Sequence, residues 1–154
     1  MAINNSLKLI LLFAFFATQC KNTPQKSSSI VNEPMFYLKT TECMGSCPVF
    51  TFTVFDGGLC SYQGIDNVDK LGTYSSELSL EQVDELKNKL STLDFFNLEV
   101  KNNMLVKDLP SQYLYYNDGE NEKTIMYYHP KNKQLDELIE FTNSLIIEME
   151  WTKK

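Results

Sequence analysis

The chain has 154 residues, 43% hydrophobic and 22% charged, with 14 basic side chains against 20 acidic ones and a net charge of −6 at neutral pH. Every basic residue is lysine. Bidentate recognition of phosphate or guanine leans on the arginine fork, and nucleic-acid modules are basic, so both features argue against a nucleic-acid partner.

Residues 4–6 (NNS) are polar, Lys8 adds a positive charge, and residues 9–17 (LILLFAFFA) form an unbroken apolar run. A charged stretch followed by a short apolar one is the pattern of a secretory signal. A bilayer span needs roughly 20 apolar residues, so this run is too short for one. It ends at Ala17-Thr18-Gln19-Cys20, which resembles the lipobox of bacterial lipoproteins, although Gln19 stands where a small residue is usual. The resemblance implies cleavage after residue 19 and a lipidated Cys20. More than one acyl chain on that cysteine would anchor the protein stably. The expected location is therefore the cell envelope, periplasmic or surface-exposed, with the membrane as a partner through the N-terminal lipid.

Residues 20–33 are rich in Lys, Asn, Ser, Gln and Pro; they bury too little apolar surface to order and read as a flexible tether. Residues 34–151 then make one domain of about 120 residues, near the commonest domain size. Loss of Lys8 with the signal leaves 13 lysines against 20 acids, a mature charge near −7.

Within the domain, residues 34–40 (PMFYLKT) read as a first strand. Residues 49–55 alternate strictly, with Phe50, Phe52 and Val54 on one face and Thr51 and Thr53 on the other. Asp56-Gly57-Gly58 is a hairpin signal. Residues 59–64 return as a third strand, placing Cys60 and Tyr62 on the apolar face, where a free cysteine behaves as a small hydrophobe. Residues 68–74 are expected to form a fourth strand. Ser79 and Gln82 make a capping box, and Leu80, Val83, Leu86, Leu90 and Leu93 repeat at helical spacing. The acids of that helix (Glu81, Asp84, Glu85) read as a solvated face rather than catalytic carboxylates.

Residues 101–109 lack periodicity and read as a loop. Residues 112–117 and 122–128 are strands joined at Asp118-Gly119, and Pro130 is expected to open a last helix with Leu135, Leu138, Ile139, Thr142, Leu145, Ile146 and Met149 as its buried stripe. Tight hairpins favour antiparallel pairing. The fold class is thus α+β, a single antiparallel sheet of about five to six strands with two helices on one face, in the order ββββα-ββα.

Chemistry concentrates in TECMGSCP, residues 41–48. Two cysteines, Cys43 and Cys47, flank Gly45, and in an oxidising compartment such a pair is expected to be bridged. Gly45 would supply a positive φ inside the loop, and the bridge would be worth roughly 2 kcal/mol by chain entropy. The competing reading is a thiol-redox or Cu(I) site using Cys43, Cys47 and the single histidine, His129, since two thiolates and an imidazole suit a soft ion. The loop is similar to that of Sco-type copper chaperones. In that fold, however, the pair opens a helix that lowers the thiol pKa, whereas here an alternating strand follows. A zinc site would need four ligands, and no second cysteine pair exists. Hydrolase and phosphate-loop signatures are absent from the sequence. No cofactor is expected.

Five tyrosines (Tyr113, Tyr115, Tyr116, Tyr127, Tyr128) crowd the second hairpin. They are either cross-strand pairs that stabilise the sheet or an exposed strip for a protein or glycan partner.

Cys43-Met44-Gly45-Ser46-Cys47-Pro48-Val49-Phe50, with the alternating strand and Asp-Gly turn behind it, resembles a bacterial family of envelope domains, domain of unknown function 6438, with the signature Cys-x-Gly-x-Cys-Pro-x-Tyr/Phe. Further matches are Gly72, Leu80 to Leu93, Phe95-Phe96, Asp108-Leu109-Pro110, and Tyr128 to Pro130 ahead of Leu135 and Leu138. Phe50 stands where tyrosine is frequent. The similarity spans roughly residues 36–147. It implies no activity; it does imply that Asp108 and Pro110 shape the loop before the second hairpin. The functional expectation is an uncharacterised envelope-anchored lipoprotein acting as a non-enzymatic binding or structural module, through the sheet surface or a loop region holding Asp108, Pro110 and His129.

Overall fold

The computed structural model describes residues 33–100, 108–128 and 132–154. The signal, Cys20, nearly all of the tether, His129 and Pro130 lie outside the described residues.

Alternating apolar residues build the centre. The strands β1 (Pro34–Thr40), β2 (Val49–Phe55), β3 (Leu59–Asp66), β4 (Gly72–Glu77), β5 (Gln112–Asn117), β6 (Glu122–Tyr127) and β7 (Thr152–Lys153) form one sheet. Its order is β6-β5-β1-β2-β3-β4-β7, and every pairing is antiparallel. The sheet thus has seven strands rather than five to six. The strand that was not foreseen, β7, is two residues long and carries no pattern to read; it lies beyond the expected boundary at residue 151 and pairs with Tyr74 and Ser75.

The fourth strand also differs, running over 72–77 rather than 68–74. Asn67 and Gly72 adopt left-handed φ values of 51° and 101° and bracket residues 68–71 as a turn. Only after Gly72 can the chain extend beside β3, with Gly72 opposite Gly64 and Tyr74 opposite Tyr62.

Register puts Leu38 between Phe52 and Leu114, and Phe36 between Val54 and Tyr116. Phe36, Leu38, Phe52, Val54 and Leu114 are fully buried. Two helices cover this face: α1 (Leu80–Thr92) brings Val83, Leu86 and Leu90, and α2 (Lys133–Glu148) brings Leu135, Leu138, Ile139 and Leu145, all into the same core. The Ser79–Gln82 capping box starts α1. α2 is N-capped by Asn132, whose side chain accepts from the N–H groups of Gln134 and Leu135 at 3.1 Å each. The Tyr127 hydroxyl accepts the Asn132 N–H at 2.6 Å and donates to Asp136 at 2.7 Å, fixing the start of α2 to the end of β6.

The tyrosines divide by strand parity. Tyr116 and Tyr127 point into the core, with Tyr116 stacked on Phe96. Tyr115 lies on the uncovered face, stacked on Tyr37 with ring centroids 5.0 Å apart and planes 6° apart. Beyond α2, Trp151 packs its edge against Phe52 and tilts over Tyr62, while its indole N–H donates to the Ile146 carbonyl at 2.9 Å.

Candidate functional site

The Cys43–Cys47 loop joins two central strands, β1 and β2, and one buried side chain closes its base. Thr40, 6% exposed, donates its hydroxyl to the Pro48 carbonyl at 2.7 Å and accepts the Phe50 N–H at 3.0 Å. Cys43 and Cys47 stand at disulfide-bonding distance, with Cα atoms 5.8 Å apart. The Gly45 N–H donates to the Cys43 sulfur at 3.3 Å. Contrary to expectation, Gly45 is not among the residues with positive φ. The chain reverses over the whole span from residue 41 to 48, with Thr40 pinning the base, so no single position must turn left-handed. Thr40→Val should strand a buried N–H and a part-buried carbonyl and cost about 1–3 kcal/mol. Thr40→Ser, which keeps the hydroxyl, should recover most of that in a urea melt; equal losses in both would show that the methyl, not the hydroxyl, matters.

A second segment is tied to this loop. The Thr41 N–H donates to the Ser111 carbonyl at 3.0 Å, and the Thr41 hydroxyl accepts the Ser111 N–H at 2.9 Å. Asp108 is therefore brought, exposed, to the same end of the sheet as Cys43 and Cys47, with Pro110 half-buried beside it. A third segment, the β3–β4 turn, lies directly against Gly64, where an added Cβ would overlap the Lys70 carbonyl oxygen.

Between these segments and the last turns of α2 runs a groove of about 510 Å³, lined by Thr40, Pro48, Phe50, Tyr62, Val68 and Ile147 among others. Several large apolar residues are exposed at this end of the sheet. Met44 at the tip of the disulfide loop is 82% exposed and Ile147 on α2 is 77% exposed. Ile65, Leu71 and Leu109 also face solvent at this end. Only Leu59 and Leu80 share that status elsewhere among the described residues. Of the five at this end only Ile147 lines the groove itself, and Ile65, next to the inward Gly64, faces the uncovered side of the sheet. The charged groups interleaved with them are mostly acidic: Glu42, Asp66, Asp69 and Asp108, all exposed, against Lys39 and Lys70. Burial holds the Tyr62 phenol above its usual pKa, and the charges of Asp69 and then Tyr74 add to that. The phenol is neutral, a hydrogen-bond donor, across the physiological range.

Cys60 sits apart, opposite Val54 toward the other end of the sheet, buried in the core. Burial pushes its thiol up to about 12 against a weaker opposing hydrogen bond from Leu78, which leaves almost no reactive thiolate at neutral pH. Among the described residues no three His, Cys, Asp or Glu side chains gather as metal ligands, and no helix is long and apolar enough to cross a membrane.

The sequence pointed to Cys43, Cys47, Asp108 and Pro110 but not to the groove. Ile147 carried the one local signal, an apolar residue off the buried stripe of its own helix. Tyr62 and Thr40 gave none, because each reads as an ordinary inward strand residue.

A family model, the domain of unknown function DUF6438, matches residues 34–146. No curated protein matches the chain, and no solved structure does.

Proposed function

The chain belongs to the DUF6438 family, and from that premise we propose that it is a lipid-anchored envelope protein whose domain is a non-enzymatic binding module, working through the end of the sheet that carries the Cys43–Cys47 loop. The observation that carries this reading is that the exposed Ile147 lines the groove, while Met44, Leu71 and Leu109 are exposed on the loops at the same end of the sheet. Keeping apolar side chains in water without a partner is unfavourable, by about 25 cal/mol for each Å² a partner would cover. The Thr40 and Thr41 hydrogen bonds and the Cys43–Cys47 bridge hold the surrounding loops in fixed positions, and such preorganisation lowers the entropy cost of association. The apolar leader and Cys20 support the anchoring half.

The domain is entered at Pro34, which pairs with Phe55, at the opposite end of β1 from the disulfide loop.

A photo-reactive phenylalanine analogue at position 44 should trap a discrete adduct in intact cells, and the same analogue at Asp56, in the far hairpin, should not. Equal labelling at both positions, or at neither, would sink the proposal. Cys20→Ala should move the protein from the membrane fraction to the soluble one; retention in the membrane would refute the lipid anchor alone. Should the Cys43–Cys47 bridge reduce well above about −300 mV, the range of oxidoreductases rather than structural bridges, and the reduced protein take up one Cu(I), the thiol-redox or copper-handling alternative would replace the binding reading.

A further inference from the structure

The Cys43–Cys47 bridge offers a reaction that the binding reading does not use. Its two sulfurs are not equivalent. The Gly45 N–H donates to the Cys43 sulfur at 3.3 Å, whereas among the described residues the Cys47 sulfur accepts no hydrogen bond. A donor aimed at a sulfur favours its thiolate over its thiol, and in exchange the sulfur that carries negative charge better is the faster leaving group. Glu42, exposed beside Cys43, is the single charged side chain of residues 41–48. Its carboxylate opposes a thiolate at Cys43 but also repels an anionic thiol approaching from that side, and salt screens both effects. The hydrogen bond therefore sets the direction.

The loop can also open without its base. Thr40 ties Pro48 to Phe50, Thr41 and Ser111 share two hydrogen bonds, and Lys39 pairs with Thr51, all independently of the bridge. Above that base Glu42, Met44, Gly45 and Ser46 are exposed and the two cysteines are half-buried, which leaves the bridge open to a small molecule. Cys60 is buried in the core and takes no part.

We propose that the bridge is a site of reversible thiol exchange in which a small anionic thiol attacks the Cys47 sulfur, Cys43 leaves, and the opening stays within residues 42–47. The incoming thiolate forms a mixed disulfide with Cys47 as the Cys43–Cys47 bond breaks, and the electron pair of that bond departs on the Cys43 sulfur. One disulfide replaces another, with no net reduction. Attack by the Cys43 thiolate on the Cys47 sulfur reverses the step and expels the small thiol. Attack by a second small thiolate on the first instead leaves two cysteine thiols and the oxidised small disulfide, a two-electron reduction of the protein. Cys47 is thus the modified position, and Met44, 82% exposed at the tip, is the side chain that the opening sets free. The step needs neither a metal nor a docked partner, so its test is independent of the binding reading.

For that test the full-length protein in zwitterionic nanodiscs is treated with glutathione at mildly alkaline pH and quenched with iodoacetamide. Fragmentation of the peptide holding both cysteines then locates each adduct. Glutathione on Cys47 with the alkyl group on Cys43 should exceed the reverse pattern about fivefold, the worth of one hydrogen bond. Gly45→Ala, which keeps the N–H, should keep that excess, and Gly45→Pro, which removes it, should bring the two patterns level. Level patterns in the parent, an excess at Cys43, or an excess that survives Gly45→Pro would overturn the assignment. An intact bridge with no adduct at either cysteine would overturn the exchange itself. In the fully reduced protein the N–H groups of Thr41, Phe50 and Ser111 should exchange with solvent within about threefold of their rates in the bridged protein. A larger acceleration would show that the bridge holds the base of the loop, which overturns the confinement to residues 42–47.

Discussion

Gly64→Ala is expected to destabilise the domain by about 3 kcal/mol or more, the upper range for forcing an extra methyl into packed backbone. Gly64 has an ordinary φ, so the cause is space alone. A Cβ there overlaps the Lys70 carbonyl oxygen and crowds the carbonyl carbon and a Val68 methyl. Backbone cannot rotate out of the way as a side chain can, so the whole β3–β4 turn must lift, and with it Val68, Asp69 and Lys70 of the groove. Thermal melting by circular dichroism should show a fall of roughly 10 °C or more. Gly45→Ala is the informative control. Its Cβ would meet only the Cys43 sulfur, at 3.8 Å, an ordinary contact, and the variant should stay within about 0.5 kcal/mol of the parent. A reversed order, with Gly45 the sensitive position, would contradict the packing described for both loops.

The second large effect belongs to Phe52. It is fully buried, lies between Leu38 and Tyr62 in the middle of the sheet, and meets Trp151 edge-on at 6.1 Å. Truncation to alanine removes that ring from the contact of sheet, α2 and C-terminal tail at once, at a cost of about 3–5 kcal/mol. Against a typical total of about 5–15 kcal/mol, Phe52→Ala should leave much of the protein unfolded at 37 °C. Urea unfolding followed through Trp151 should show the midpoint collapse, and Phe52→Leu should restore most of it. A loss below about 1 kcal/mol would mean that the tail does not close on this ring.

Most of the fold was open to reading because local pattern and burial agree in it. The alternation of residues 49–55 is the pleat itself, the Asp56-Gly57-Gly58 turn has both glycines left-handed at 84° and 92°, and Val83, Leu86, Leu90 and Leu93 are buried as their spacing implies, although Leu80, at the first turn of α1, is exposed. The misplacement of β4 has a specific cause. Its sequence, GTYSSE, presents Gly72, Tyr74 and Ser76 to the covered side, so a strand with one large inward residue was outweighed by the apolar Val68 and Leu71 just before it. Neighbourhood was also hidden: β5 lies beside β1 rather than β4, a long-range pairing that no local period encodes.

The candidate site divides the same way. Two cysteines around a glycine announce themselves within five residues. The groove is assembled from Thr40, Tyr62 and Ile147, more than a hundred positions from first to last, and only the topology makes them neighbours. Gly45 drew attention by its place in a motif, whereas Gly64, in an unremarkable strand, carries the tighter constraint.

The position of β1 has a mechanical consequence. It is flanked by β2 on one side and β5 on the other, its first residue takes the incoming chain, and its last leads straight into the loop that Cys43 and Cys47 close. A pull applied between Pro34 and Thr41 would run along this strand. Such a force shears two antiparallel ladders in parallel instead of peeling one edge open residue by residue, so its hydrogen bonds must yield together. Along that axis the strand resists as a pair of ladders, whereas the outer strands β6 and β7 are each held by one.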